Sequence, residues 1–169
     1  MKNPWVIIGV IVVVLVGASI WYAGEVAKQN NEGITITENI KGNPEASVTL
    51  VEYSDFQCPA CAQAFPVVQQ VMEQYGDQIR LEYNHFPLIS IHRNAEVAAR
   101  ASEAAGVQGS FWEDHDLLFE RQQSWAESIN PRGTFIGYAE ELGLDTELFS
   151  RHLDNRTIRD TVQNEMRAG

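Results

Sequence analysis

Cys58 and Cys61 are the only cysteines of the chain, and they stand in Phe56-Gln57-Cys58-Pro59-Ala60-Cys61. The stretch before them, Val48 to Tyr53, reads as a strand, and from Ala62 to Tyr75 apolar residues recur at helical spacing. The pair therefore falls at a strand-to-helix junction. A helix N-terminus offers unpaired backbone N–H groups and a partial positive charge, which stabilise a thiolate on the first cysteine. This makes Cys58 the nucleophile. Pro59 suits the first helical turn, where its missing N–H costs no helix bond. Cys61, one turn in, is expected as a buried resolving thiol that displaces a client cysteine from a mixed disulfide. Two other uses of the pair stay open. A purely structural disulfide would close a very short loop and so constrain the unfolded chain little. Zinc would need further ligands from His85, His92, His115 and His152, and no two of these have the usual gap of three to five residues. No metal and no organic cofactor is implied.

The elements that must position this pair follow from the rest of the chain. Trp5 to Ala23 contains no charge and reads as a transmembrane helix, with Trp5 at one end and Trp21 and Tyr22 at the other. Lys2 and the N-terminus precede it, so the N-terminal tail, residues 1–4, is expected inside. A cleavable signal peptide is the competing reading, with Gly17 and Ala18 as small residues near its end. Either way the remainder is exported. Residues 24–40 are expected to form a polar spacer and then a short edge strand at Ile34-Thr35-Ile36-Thr37. Lys41-Gly42-Asn43-Pro44 is a turn cluster, and Val48 to Tyr53 reads as a buried central strand.

After the cysteines, Phe65, Val68, Met72 and Tyr75 share a helical stripe that Gly76 ends, and Ile79 to Phe86 is the next strand. Strand, helix, strand predicts a parallel pair with a right-handed crossover. Residues 91–169 read as short helices. One covers the alanine-rich stretch from His92 to Ala105, and one starts near Ser110. A third carries Phe135, Tyr138 and Leu142. Asp145 is expected to cap a fourth, and Asp154 a fifth bearing Ile158, Val162 and Met166. His92 and His115 are expected in structural or surface roles. With 23 acidic against 12 basic residues the net charge is −11, which makes nucleic acid a poor partner.

The segment Val48 to Cys61 resembles the active-site strand and helix start of the DsbA-like branch of the thioredoxin superfamily. The likeness continues through Ser90-Ile91-His92, Ala95 to Gly106, Phe111 to Asp116, and Phe135 to Ala139. These stretches resemble the helical insertion of membrane-anchored members. The resemblance implies an α/β thioredoxin-like fold over residues 41–169, with a helical insertion over 91–169, preceded by the transmembrane helix at 5–23. It also implies an acid near the resolving thiol at Glu52, although a strand-end carboxylate facing water fits that position equally. Pro66 matches a helix-kinking proline. Two departures stand out. Ala60 replaces a histidine that strongly oxidising members use to hold the thiolate, so a milder oxidant is expected. The family's cis-proline loop, with the C-terminal strands and helix after it, has no counterpart before Gly169, so the chain reads as C-terminally truncated.

These readings converge on a thiol:disulfide oxidoreductase at the cell membrane. It is expected as a single-pass protein with an extracytoplasmic catalytic domain, acting through Cys58, Cys61 and Glu52. Its expected partners are exported cysteine-containing client proteins and a membrane redox partner that resets the dithiol. A disulfide reductase or isomerase, and a redox-inert thioredoxin-fold binding module, are the alternatives, since the direction of exchange depends on reduction potential.

Overall fold

The structure is a computed structural model that describes residues 4–31 and 34–169; in the first segment the described side chains are those of Trp5 and of Ile8 to Gly24. Expectations that fall on residues 1–3, 32 and 33 lie outside the described residues. The chain divides into two compact units, Met1–Gly33 and Ile34–Gly169. The first contains one helix, α1 (Pro4–Asn31). It runs past the apolar stretch into the segment expected as spacer. Glu25, Ala27, Lys28 and Gln29 are good helix formers, and the single Gly24 does not stop the helix. Val10 to Val16 and Ile20 to Tyr22 are exposed along it wherever their side chains are large and apolar. Among the described residues, however, no helix is long and apolar enough to cross a membrane, so the spanning part of the expectation is not supported.

The second unit is built on a three-stranded sheet of β1 (Asn39–Gly42), β2 (Val48–Ser54) and β3 (Ile79–His85), in the order β1-β3-β2. β2 and β3 are parallel, as expected, with Val48 opposite Ile79 and Ser54 opposite His85. The crossover between them is α2 (Pro59–Tyr75). Two expectations are corrected here. The first strand is not Ile34 to Thr37 but Asn39 to Gly42, antiparallel to β3 with Asn39 opposite Tyr83. Ile34 and Ile36 instead pack, unpaired, against the core. Gly42 ends the strand at φ +90°, where a Cβ would lie 2.6 Å from the Ile79 carbonyl oxygen, so only glycine fits. The turn follows at Asn43, whose side chain accepts from Glu45 N–H at 2.9 Å.

The second correction concerns β2, which is an edge strand; β3 is central. Val48, Leu50, Val51 and Tyr53 are exposed, whereas Leu81, Tyr83 and His85 of β3 are buried. A continuous apolar run signals burial on both faces only when neighbours cover both, and among the described residues none pairs with the outer edge of β2. Tyr75 is likewise exposed at the end of its helical stripe, while Phe65 reaches the core.

Helices make up the rest: α3 (Ala95–Gly106), α4 (Phe111–Glu120), α5 (Gln122–Trp125), α6 (Arg132–Glu141), α7 (Thr146–Leu153) and α8 (Arg156–Ala168). α5 is a single turn that the sequence pattern did not reveal. α3 turns Ala98, Ala101, Ala104 and Ala105 inward, and these small side chains let neighbouring helices approach closely. Asp145 caps α7 through Leu148 N–H at 2.8 Å, as expected. The cap of α8 is Asn155 rather than Asp154, accepting from Thr157 N–H at 2.7 Å. Asp154 closes α7 instead, and its carboxylate meets Arg132 at 3.0 Å.

At the centre, Phe56 stacks on Tyr83 at 5.4 Å and lies 4.9 Å from Phe119, which stacks on Phe65 at 5.2 Å. His115 sits buried among these rings, 4.9 Å from Tyr83. Burial holds its imidazole below the usual range, against the opposing pull of Asp116. A polar tie crosses the same layer: Glu103 accepts from Asn39 at 2.7 Å and pairs with His85 at 2.9 Å, joining α3 to both β1 and β3.

Candidate active site

The chain enters the site along β2, turns at Asp55 and starts α2 at Cys58. The turn is over-determined by one carboxylate. Asp55 Oδ1 accepts from Gln57 N–H at 2.7 Å, and the Asp55 carbonyl accepts from Cys58 N–H at 3.0 Å. Its Oδ2 accepts from Leu88 N–H at 3.0 Å and meets His92 Nδ1 at 2.6 Å. His92, expected from sequence as structural or surface, thus braces the loop that carries the cysteines. Phe56 drives the same loop into the aromatic core, with 1 % of its surface exposed. One large anchor two residues before the nucleophile limits how far the loop can move.

Cys58 is the N-cap of α2, with extended backbone angles, and Pro59 occupies the first turn. The Cys58 carbonyl accepts the first helix bond, from Ala62 N–H at 3.1 Å. This is the arrangement expected from the spacing: a sulfur at the positive end of a helix. Both cysteines are unbridged and partly exposed, and Cys61 packs against the core on one side. Cys61 is therefore less deeply buried than expected. Burial still pushes its thiol up. The Ser54 hydroxyl and the Asp55 N–H oppose that rise, and the neighbouring Cys58 adds to it.

Glu52 lies two residues before Ser54 on the same face of β2, opposite Tyr83 in register. It is half-buried rather than turned to water. Burial raises its carboxyl above the usual carboxylate range, and the Ser54 hydroxyl partly offsets that. Buried Tyr83 is pushed well above the ordinary phenol range, first by burial and then by the charges of Glu52, Cys61 and Asp55. The structure thus gathers Glu52, Ser54, Cys61 and Tyr83 beneath the helix start. Among the described residues, no group of three or more His, Cys, Asp or Glu side chains is placed to hold a metal ion.

Several site residues left no clear mark in the sequence. Gln57 spans outward from the loop: its Nε2 donates to the Ala126 carbonyl and its Oε1 accepts from Asn94 N–H, both at 2.7 Å. Gln122 reaches inward, donating to the carbonyls of Phe56 at 2.7 Å and Cys58 at 3.0 Å. A polar side chain next to a nucleophile was the available signal for Gln57. Gln122 and Asn94 gave none, because their partners are distant in sequence.

Comparison with known proteins agrees with the fold. The family profile described as thioredoxin matches residues 35–169. Among solved structures, a thioredoxin-like oxidoreductase from Silicibacter pomeroyi DSS-3 superposes with a TM-score of 0.66 at 29% identity, over 78% of this chain and 71% of that one. Oxidised BdbD from Bacillus subtilis gives 0.62 at 26% identity, covering 76% and 71%. Wolbachia pipientis alpha-DsbA1, at 19% identity, gives 0.66 over 82% and 71%, and shares the fold. Among curated relatives, a Na(+)/H(+) antiporter NhaA 1 of Salinispora arenicola is 45% identical over 119 residues, which are 70% of this chain and 17% of the relative. A Na(+)/H(+) antiporter NhaA of Herminiimonas arsenicoxydans is 40% identical over 129 residues, 76% of this chain and 20% of the relative. The chain thus spans about a fifth or less of the length of these curated relatives.

Proposed function

The chain belongs to the thioredoxin family, and from that premise we propose that it is a thiol:disulfide oxidoreductase passing a Cys58–Cys61 disulfide to exported, cysteine-containing client proteins. The observation that carries this reading is Cys58 at the N-cap of α2 with Cys61 one turn in. In the oxidised form a client thiolate attacks Cys58 Sγ. The Cys58–Cys61 bond breaks and the electron pair leaves on Cys61, which takes up a proton. A second client thiolate then attacks the client sulfur of the mixed disulfide, the client disulfide closes, and Cys58 leaves as a thiolate at the positive helix end. In the reverse direction Cys61 must lose its proton to resolve the mixed disulfide, and Glu52, with its raised carboxyl, is the proposed acceptor.

We further propose that residues 5–23 hold the domain at the membrane on its extracytoplasmic side, where a membrane redox partner reoxidises the dithiol. The apolar sequence of that run supports it. A second reading, a redox-inert binding module at the membrane, draws support from the relatives named as antiporters. Oxidative refolding of a reduced, unfolded client by the oxidised protein separates the two. The oxidoreductase reading expects client disulfides to form with the native chain and not with Cys58→Ser. Equal inactivity of both would favour the binding module.

A further inference from the structure

The turn Asp55 to Cys58 leaves two backbone carbonyls, those of Phe56 and Cys58, facing the helical layer. A buried carbonyl without a donor is costly, and a primary amide is among the few side chains with two hydrogens to give. Gln122, at the start of α5 and 9 % exposed, gives both from one nitrogen, at 2.7 Å and 3.0 Å. We propose that Gln122 is a positioning residue for the nucleophile: its carboxamide grips the backbone on both sides of Gln57 and fixes the angle at which Cys58 is presented at the helix end. The inference rests on the reading of Cys58 as the reacting thiol.

The grip is only as firm as its far end, and that end is anchored. Ala126 N–H bonds the Gln122 carbonyl at 2.9 Å, closing the α5 turn. Trp125 is fully buried and donates to the Leu118 carbonyl at 3.0 Å. Asn94 donates to the carbonyls of Trp125, Ala126 and Ser128 at 3.2, 3.0 and 2.8 Å, which ties the same segment to the start of α3. Gln57 crosses the opposite way, from the redox loop to Ala126 and Asn94. Two glutamines therefore clasp the loop and the α5 segment reciprocally, each using its amide on the other's backbone. The Cys58 carbonyl is shared between this clasp and the first bond of α2, so tension on the clasp acts directly on the sulfur-bearing residue.

Gln122 also borders an open groove lined by Ala62, Phe119 and residues 120–124. Gln122→Met keeps the side chain's approximate volume and removes both hydrogens. If Gln122 only fills space, the methionine is silent; if it positions Cys58, the thiol's reactivity drops while the fold persists.

Two measurements on the full chain test this. In the wild-type protein, NMR should detect scalar couplings across hydrogen bonds from the Gln122 side-chain nitrogen to the carbonyl carbons of both Phe56 and Cys58. In a Cys61→Ser background, where only Cys58 reacts, Gln122→Met should slow attack on 5,5′-dithiobis(2-nitrobenzoate) by about tenfold, as expected for a misplaced nucleophile. Absence of the couplings overturns the inference, as does a Gln122→Met rate within about twofold of its parent. The reagent is a small disulfide and needs no client, so failure of client oxidation would overturn the oxidoreductase reading and leave this one standing.

Discussion

Asp114 is fully buried in α4, and neither carboxylate oxygen has a hydrogen-bond partner among the described residues. Burial alone pushes its carboxyl from 3.8 up to about 8. The folded protein therefore holds this acid neutral near pH 7, while the unfolded chain leaves it ionised. A raised folded value means that the group's contribution to stability is complete below about pH 4 and is lost as pH rises toward 8. Every pH unit separating the folded from the unfolded pKa corresponds to about 1.4 kcal/mol, so roughly 4 kcal/mol is lost between pH 4 and pH 7 and about 5 by pH 8. Asp114→Asn keeps the shape and cannot ionise. Urea unfolding followed by the fluorescence of buried Trp125, run at several pH values, should show the variant gaining on the wild type as pH rises. The expected gain is on the order of 4 kcal/mol between pH 4 and pH 7, with little difference at the acid end. A stability difference constant to within about 0.5 kcal/mol across that range would refute the reasoning, because it would mean that Asp114 is ionised in the folded protein.

Four further outcomes are expected. Glu52→Gln should slow resolution of a Cys58 mixed disulfide several-fold without changing the rate of its formation, as read by stopped-flow with a small disulfide. Phe56→Ala removes a ring stacked on Tyr83 and close to Phe119, and should cost about 3–5 kcal/mol in urea unfolding. Asn155→Ala should cost about 1 kcal/mol through the lost cap of α8, and Asp145→Ala a similar amount through α7, both by thermal or urea unfolding.

The strand-to-helix junction and the first turn around Pro59 were legible because they rest on local rules: period, N-cap position and proline's missing N–H. The cap at Asp145 belongs to the same class, whereas the one expected at Asp154 falls one residue later, at Asn155, and arginines from other elements claim the Asp154 carboxylate. The place of β2 was not legible. An apolar run reports what a strand would bury, and only the sheet order shows what lies beside it. The clasp of Gln57, Asn94 and Gln122 was invisible for a related reason, since its partners lie 31 to 69 residues apart and leave no periodic trace. The contact by which His92 braces the loop was invisible for the same reason, since Asp55 lies 37 residues away.

The central claim is that Cys58 is the sulfur that bonds to clients and Cys61 the one that resolves them. The most direct measurement is trapping: Cys61→Ser and Cys58→Ser, each mixed with a client carrying an activated disulfide, then separated under non-reducing conditions. A covalent complex should accumulate with Cys61→Ser, dissolve on adding a reductant, and be absent with Cys58→Ser. A complex that forms equally with Cys58→Ser, or only with it, would contradict the assignment.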